Sequence, residues 1–467
     1  MRTFAALLVA AAAAAAAATA PACGDHSEPM IGPTPLPIPS GKPALRVNGP
    51  LSSRQASYQI NARLDTSEKL IEATETLVWR NDGVASVDSL PFHLYMNAFK
   101  NDSSVFMGEA GGVHRGHRIL MGSRGRIDVT SLAINGEELR GTAHFGVDET
   151  VLEVPLTVPV APDESIEIHL SFTTKLPRVF ARTGFAGDFV MAGQWFPKIG
   201  VLAFSEEGQR WHCEPLHLNG EFFADFGTYD VVLDVPDTLV VAATGVLTSA
   251  EPAAEPGRRL LTYRAEDVHD FAWMADPFMQ IAKTTSHDGV EIHLYHRPRQ
   301  ARYAGRHLEA ARRTIEFMSE RLLPYPWPII TVIDPPPEAT AAGGMEYPTL
   351  VTTAGDVLLA SEVSRSPELV TAHEVAHNWF QGIVASNEVD EPWLDEGLTE
   401  YASTLVLDHW YGPDRSLFDA AGVRSGGFQL KTALVSDFEI ATPIAARSFD
   451  FGSRAEYSTV VYARAAL

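Results

Sequence analysis

His373 and His377 stand four residues apart in the stretch HEVAHNWF, with Glu374 directly after the first of them. Two imidazoles at that spacing face the same way only if the backbone between them is helical. Four residues then make about one turn, a rise of roughly 6 Å. Ser366, Pro367 and Glu368 supply an N-cap, a proline for the first turn and an acid for the positive helix end, so a helix is predicted to begin there. Glu374 lies about 100° further round that helix, beside the histidine pair rather than between its members.

This H-E-x-x-H pattern suits one zinc ion, with the glutamate taking a proton from an activated water. In a chain with 16 histidines the pattern alone could arise by accident. The following segment, EPWLDEGLTEYAS, argues otherwise. Pro392 opens a second predicted helix, and Glu396 lies on it after eighteen intervening residues. A catalytic zinc takes three protein ligands and keeps one position open. His373, His377 and Glu396 are therefore the expected ligands, with Glu374 as general base. Glu400, one turn beyond Glu396, is a candidate to orient a ligand histidine. The cluster RWHCEPLH, with His212, Cys213 and His217, shows no closing ligand pair and reads as ordinary structure.

The rest of the chain divides by texture. Arg2, an apolar run from Phe4 to Ala18 and small residues up to Ala22 read as a secretion signal over residues 1–22. Cys23 follows, as at a bacterial lipoprotein site, although Ala20 stands where leucine is usual. Lipidation and simple cleavage after Ala22 both stay open. The expected location is outside the cytoplasm: periplasmic, tethered to the outer membrane or cell surface, or secreted. Residues 23–45 are proline-rich and read as a linker. Residues 46–285 carry alternating, β-branched segments such as SIEIHLSFTT and TYDVVLDVP, the mark of a β-rich domain. Over residues 286–467, read as the second domain, a helix is predicted at 301–323, stopped by PYPWP, a strand PIITVID follows, and helices dominate from 366 onward. Strands first and helices later predict an α+β multidomain protein. The net charge of −23 speaks against nucleic acid as a partner.

The pattern HEVAHNWF, eighteen residues, then the glutamate of WLDEG resembles the aminopeptidase N family of zinc metallopeptidases. GGMEYP at 343–348 is similar to that family's exopeptidase signature, AGQWFPKIG at 192–200 to a β-domain segment that reaches its active site, and YSTVVYARAAL to the region of its catalytic tyrosine. The resemblance implies a saddle-like β domain followed by a thermolysin-like zinc catalytic domain. It implies Zn2+ as cofactor and peptides with a free N-terminus as substrates. Glu346 would then bind the α-amino group, with Gly343, Gly344 and Met345 beside it and Gln194 assisting. Tyr462 would stabilise the oxyanion, with Tyr457 as its companion. Tyr347-Pro348 in place of the family's asparagine departs from the pattern. So does a chain end five residues beyond Tyr462, which reads as short of the family's C-terminal helical part. An endopeptidase on the same zinc site, and a non-catalytic peptide-binding protein that keeps the fold, are the alternative expectations.

Overall fold

The computed structural model describes residues 34–119, 122–205, 208–353, 364–437 and 440–467. The expected signal segment and Cys23 lie outside the described residues. The chain is built strands first, as its texture implies, and the helices that carry the zinc motif follow.

The largest sheet has eight strands. Its centre pairs Ala56–Asp65 with Leu70–Arg80 in antiparallel register and with Gly227–Pro236 in parallel. Alternate residues of these strands are buried, so Tyr58, Ile60, Leu64, Tyr229, Val231 and Leu233 form one apolar face. Tyr58 and Tyr229 stack across the parallel pair with centroids 4.8 Å apart. Two four-stranded sheets, one of them built on Val87–His93 and Val151–Val160, and two two-stranded hairpins accompany it in the β-rich part.

His93, at the end of Val87–His93, is buried against Tyr95 and makes no hydrogen bond through either ring nitrogen. Burial, and then the charge of Lys198, push its pKa down to about 3. The unfolded chain, with an ordinary imidazole, binds the proton first, so stability drains as pH falls from about 6.5 toward about 3. The variant His93→Phe is expected to remove up to about 1.4 kcal/mol per pH unit from the slope of that acid limb. Urea titrations at stepped pH would show it, and an unchanged slope would mean that His93 is not a source of the acid sensitivity.

A further four-stranded sheet joins the two textures. Gln280–Thr285 pairs antiparallel with Glu291–His296, which runs parallel to Ile329–Ile333 and then to Leu350–Thr352. Helix α1 (Ala301–Arg321) makes the crossover between the two middle strands, burying Ala311, Ile315 and Met318. The helix expected over 301–323 ends at Arg321, where Leu322 caps it and is exposed. Helix α2 (Ser366–Phe380) packs on α1, and α3 (Pro392–Tyr411) packs on α2. One hydrophobic core runs from the strands at 56–64 through Ala311 and Ile315 to Ala372, Val375 and Val406.

The described part of the proline-rich segment lies along this body. Thr34 and Ser40 donate backbone hydrogen bonds to Asp237 and Leu247, Lys42 pairs with Glu291 at 2.9 Å, and Ala44 and Leu45 are buried.

Candidate active site

Helix α2 begins at Ser366, with Pro367 in its first turn, within one residue of the sequence expectation. Its apolar side, Ala372, Val375, Ala376 and Trp379, is fixed in the core, and Trp379 Nε1 donates to the Leu323 carbonyl at 2.7 Å. That anchoring turns His373 and His377 toward α3. Their Nε2 atoms lie 3.0 Å apart, 3.1 Å and 3.4 Å respectively from Glu396 Oε2.

The opposite ring nitrogens decide what those three atoms are. His377 Nδ1 lies 2.5 Å from Asp395 Oδ1 and 3.1 Å from Thr399 Oγ1. His373 Nδ1 lies 3.0 Å from Glu400 Oε2, off the ideal hydrogen-bond direction, and Glu400 is held in turn by Lys431 at 2.8 Å. With the ring protons on the Nδ1 sides, two lone pairs and a carboxylate oxygen converge on one point. Such a set repels itself unless a cation or protons stand between. Tetrahedral zinc with bonds near 2 Å sets its ligands about 3.3 Å apart, which these separations match. Among the described residues, the groups able to hold a metal are this one and the adjoining set of Glu346, His377 and Asp395. The donors fit zinc.

Burial opposes charge on His373, but the bonds to Glu396 and Glu400 outweigh it and raise its pKa to about 10. Burial likewise opposes charge on Glu396, and the two histidines more than compensate, holding its pKa well below the usual carboxylate range. Asp395 and Thr399 were not anticipated, although both could have been read from the sequence. They flank Glu396 on α3 at positions one turn apart, where residues share a helix face. The variant Asp395→Asn removes the acid that orients His377 and is expected to weaken zinc binding by about 10–100-fold. Competition with a chromophoric chelator would measure it, and an unchanged affinity would show that Thr399 and packing suffice.

Glu374 is buried, close enough to feel the charges of His373 and His377. Burial raises its pKa, against the charges of His373, His377 and Arg182. Glu346 is also buried, and its Oε1 has no hydrogen-bond partner. The segment before it turns tightly. A Cβ on Gly343 would fall 2.2 Å from the Thr353 carbonyl oxygen, and Met345 bridges to Thr352 at the edge of the mixed sheet. Two expected neighbours are placed differently. The Met345 side chain packs in a small core with Ile333 and Tyr347. The Gln194 amide is engaged internally, donating to Asp270 and accepting from Lys198.

Tyr462 lies in a π-helical stretch, Ser458–Arg464, a distortion often found at functional sites. Its ring stacks on His373, and its hydroxyl donates to Glu396 Oε1, the oxygen turned away from the histidines. Tyr457 packs edge-on against it. Arg115, Arg182 and Glu221 complete the surroundings. All three come from the β-rich part, and no local pattern pointed to them.

A helix-borne pair of histidines, a carboxylate on the next helix and an acid beside them define a zinc-peptidase type of site. Residues 306–434 match the model of the peptidase family M1 domain. By sequence the chain is similar to Aminopeptidase M1 of Arabidopsis thaliana, 27% identical over 39% of this chain and 21% of the relative. It is also similar to Aminopeptidase B of Rattus norvegicus, 35% identical over 24% of this chain and 17% of the relative. The aligned part thus spans about a fifth of the curated relatives' own length. An M1 zinc metallopeptidase of Deinococcus radiodurans shares the fold, with a TM-score of 0.55 at 17% identity over 89% of this chain and 81% of that one. Residues 306–434 thus carry a peptidase family M1 domain, and the similarities agree with the resemblance to aminopeptidase N-type zinc metallopeptidases that the motifs imply.

Proposed function

We propose that the protein removes N-terminal residues from peptides by hydrolysis. The observation that carries this reading is Glu346, a buried carboxylate with an unpartnered oxygen beside the zinc ligands. A free α-amino group supplies the missing partner, and an ammonium held there sets a register of one residue. When bound, zinc supplies Lewis acidity, polarising a carbonyl and making water a nucleophile near neutral pH. Glu374 takes the proton from that water and returns it to the departing amine. Tyr462 exchanges its bond to Glu396 for one to the developing oxyanion.

The test is a paired assay of peptides with free and acetylated N-termini, with and without a zinc chelator. Chelator-sensitive cleavage of the free peptides alone is expected. Cleavage of both would move the protein to endopeptidase activity, and zinc binding without cleavage to a peptide-binding role.

We also infer export, on the strength of the leader-like first 22 residues, and a lipid tether if Cys23 is modified. Cell fractionation with labelled fatty acid tests both, and cytoplasmic recovery of an uncleaved chain would overturn export.

A further inference from the structure

Two arginines enter the cleft from the β-rich part, each at the tip of a turn. Arg115 and Gly116 are the central residues of a hairpin in which His114 pairs with His117, and both have positive φ, 48° and 84°. Arg182 has φ 61° at the turn closed by Ala181 and Thr183, and its backbone N–H donates to the Ala341 carbonyl at 2.9 Å. Left-handed backbone is uncommon for arginine. Here it occurs twice, in arginines that both reach the same glycine.

That glycine is Gly344, two residues before Glu346. At the position its Cβ would occupy, Arg115 Nη1 is 3.4 Å away, Arg182 Nη1 3.5 Å and Glu374 Oε1 3.7 Å. Both guanidiniums therefore border the bare backbone next to the general base. Their hydrogen-bonding capacity is incompletely used. Arg182 is 5% exposed, yet its Nη1 has no partner, and Nε of Arg115 is buried without one. Glu221 bonds Arg182, and its contact with Arg115 is only 3.8 Å. The charge of Arg454 reaches Arg115 as well and opposes it. Glu221 is the carboxylate in contact with both guanidiniums, and the charge of Arg454 adds to theirs, so positive charge is in excess at this corner.

We infer that Arg115 and Arg182 form an anion subsite that receives a carboxylate from the first two or three residues of the substrate. The inference rests on the aminopeptidase reading for its register. Gly344 and Glu346 are two residues apart, at most about 7 Å of backbone, roughly the span of two substrate residues. The carboxylate can be the C-terminus of a di- or tripeptide or an acidic side chain near the N-terminus. Charge-assisted bonds to a guanidinium favour either over its neutral counterpart by about tenfold or more.

Four probes separate these sources: Ala-Ala-Ala, its C-terminal amide, and the amides of Asp-Ala-Ala and Ala-Asp-Ala. Cleavage is measured on the wild type, and affinity by calorimetry on the Glu374→Gln variant, where no turnover intervenes. At least one carboxylate-bearing peptide is expected to bind about tenfold tighter than the neutral amide. Arg115→Asn suits a left-handed turn, and added to the Glu374→Gln protein it should bring that ratio below about threefold while leaving the neutral amide's affinity unchanged. Arg115→Lys should restore part of the preference. A tight free-acid tripeptide points to the C-terminus, and a tight Asp peptide to the side chain. Equal binding of all four peptides, or a preference that survives both Arg115→Asn and Arg182→Gln, would overturn the subsite. Binding that shows the preference without any cleavage would instead sink the peptidase reading and leave the subsite standing.

Discussion

Replacing Glu374 by glutamine lowers kcat by about 10²–10⁴-fold while zinc stays bound. The amide matches the carboxylate in size and leaves His373, His377 and Glu396 untouched, so metal content measured by atomic emission should equal that of the wild type. What is lost is the acceptor for the proton of water at the face bordered by Gly344. The loss should fall on kcat and kcat/KM alike, because the proton moves only as the transition state forms. A variant with near-normal turnover would remove Glu374 from the chemistry and require another base, for which Glu346, with its unpartnered Oε1, is the next candidate.

Tyr462→Phe is expected to lower kcat by about 10²–10³-fold with little change in KM. In the structure the hydroxyl is spent on Glu396 Oε1, so the same substitution could act through the ligand instead. Zinc affinity separates the two. If the phenol serves the oxyanion, the variant binds zinc as the wild type does. If it serves mainly to hold Glu396, the chelator competition midpoint shifts along with the rate, and the oxyanion role fails.

How much of this was legible in the sequence depended on distance along the chain. The ligand triad was readable because one helix fixes the spacing of His373 and His377, and a second helix follows within a short connection. Glu400 was readable for the same reason, as it stands one turn from Glu396. Asp395 and Thr399 carried the same helical signal and were passed over, since an acid adjacent to a ligand looks like a solvated neighbour until its partner is known. Arg115, Arg182 and Glu221 were not readable. Each lies on a turn or irregular segment well over a hundred residues before the helices, and only tertiary packing brings them to the site. Gln194 and Met345 were legible only through resemblance. Motif resemblance placed them at the site, whereas the local balance of charge at Asp270 and Lys198, and of apolar volume around Tyr347, decides where their side chains go.

The core that passes without interruption from the sheet into α1, α2 and α3 bears on how the cleft can move. Ala181, next to Arg182, and Ala372, next to His373, belong to the same packed cluster. The wall that carries the arginines is further tied to the opposite side through Ala341 and the hydroxyl of Tyr347. Widening the cleft would mean prising close-packed side chains apart, and interiors of that density yield little to thermal motion. The cleft therefore acts as a mould of fixed width. If the proposed function and the anion subsite hold, that width, bordered by two guanidiniums and the bare backbone of Gly344, limits which peptides fit.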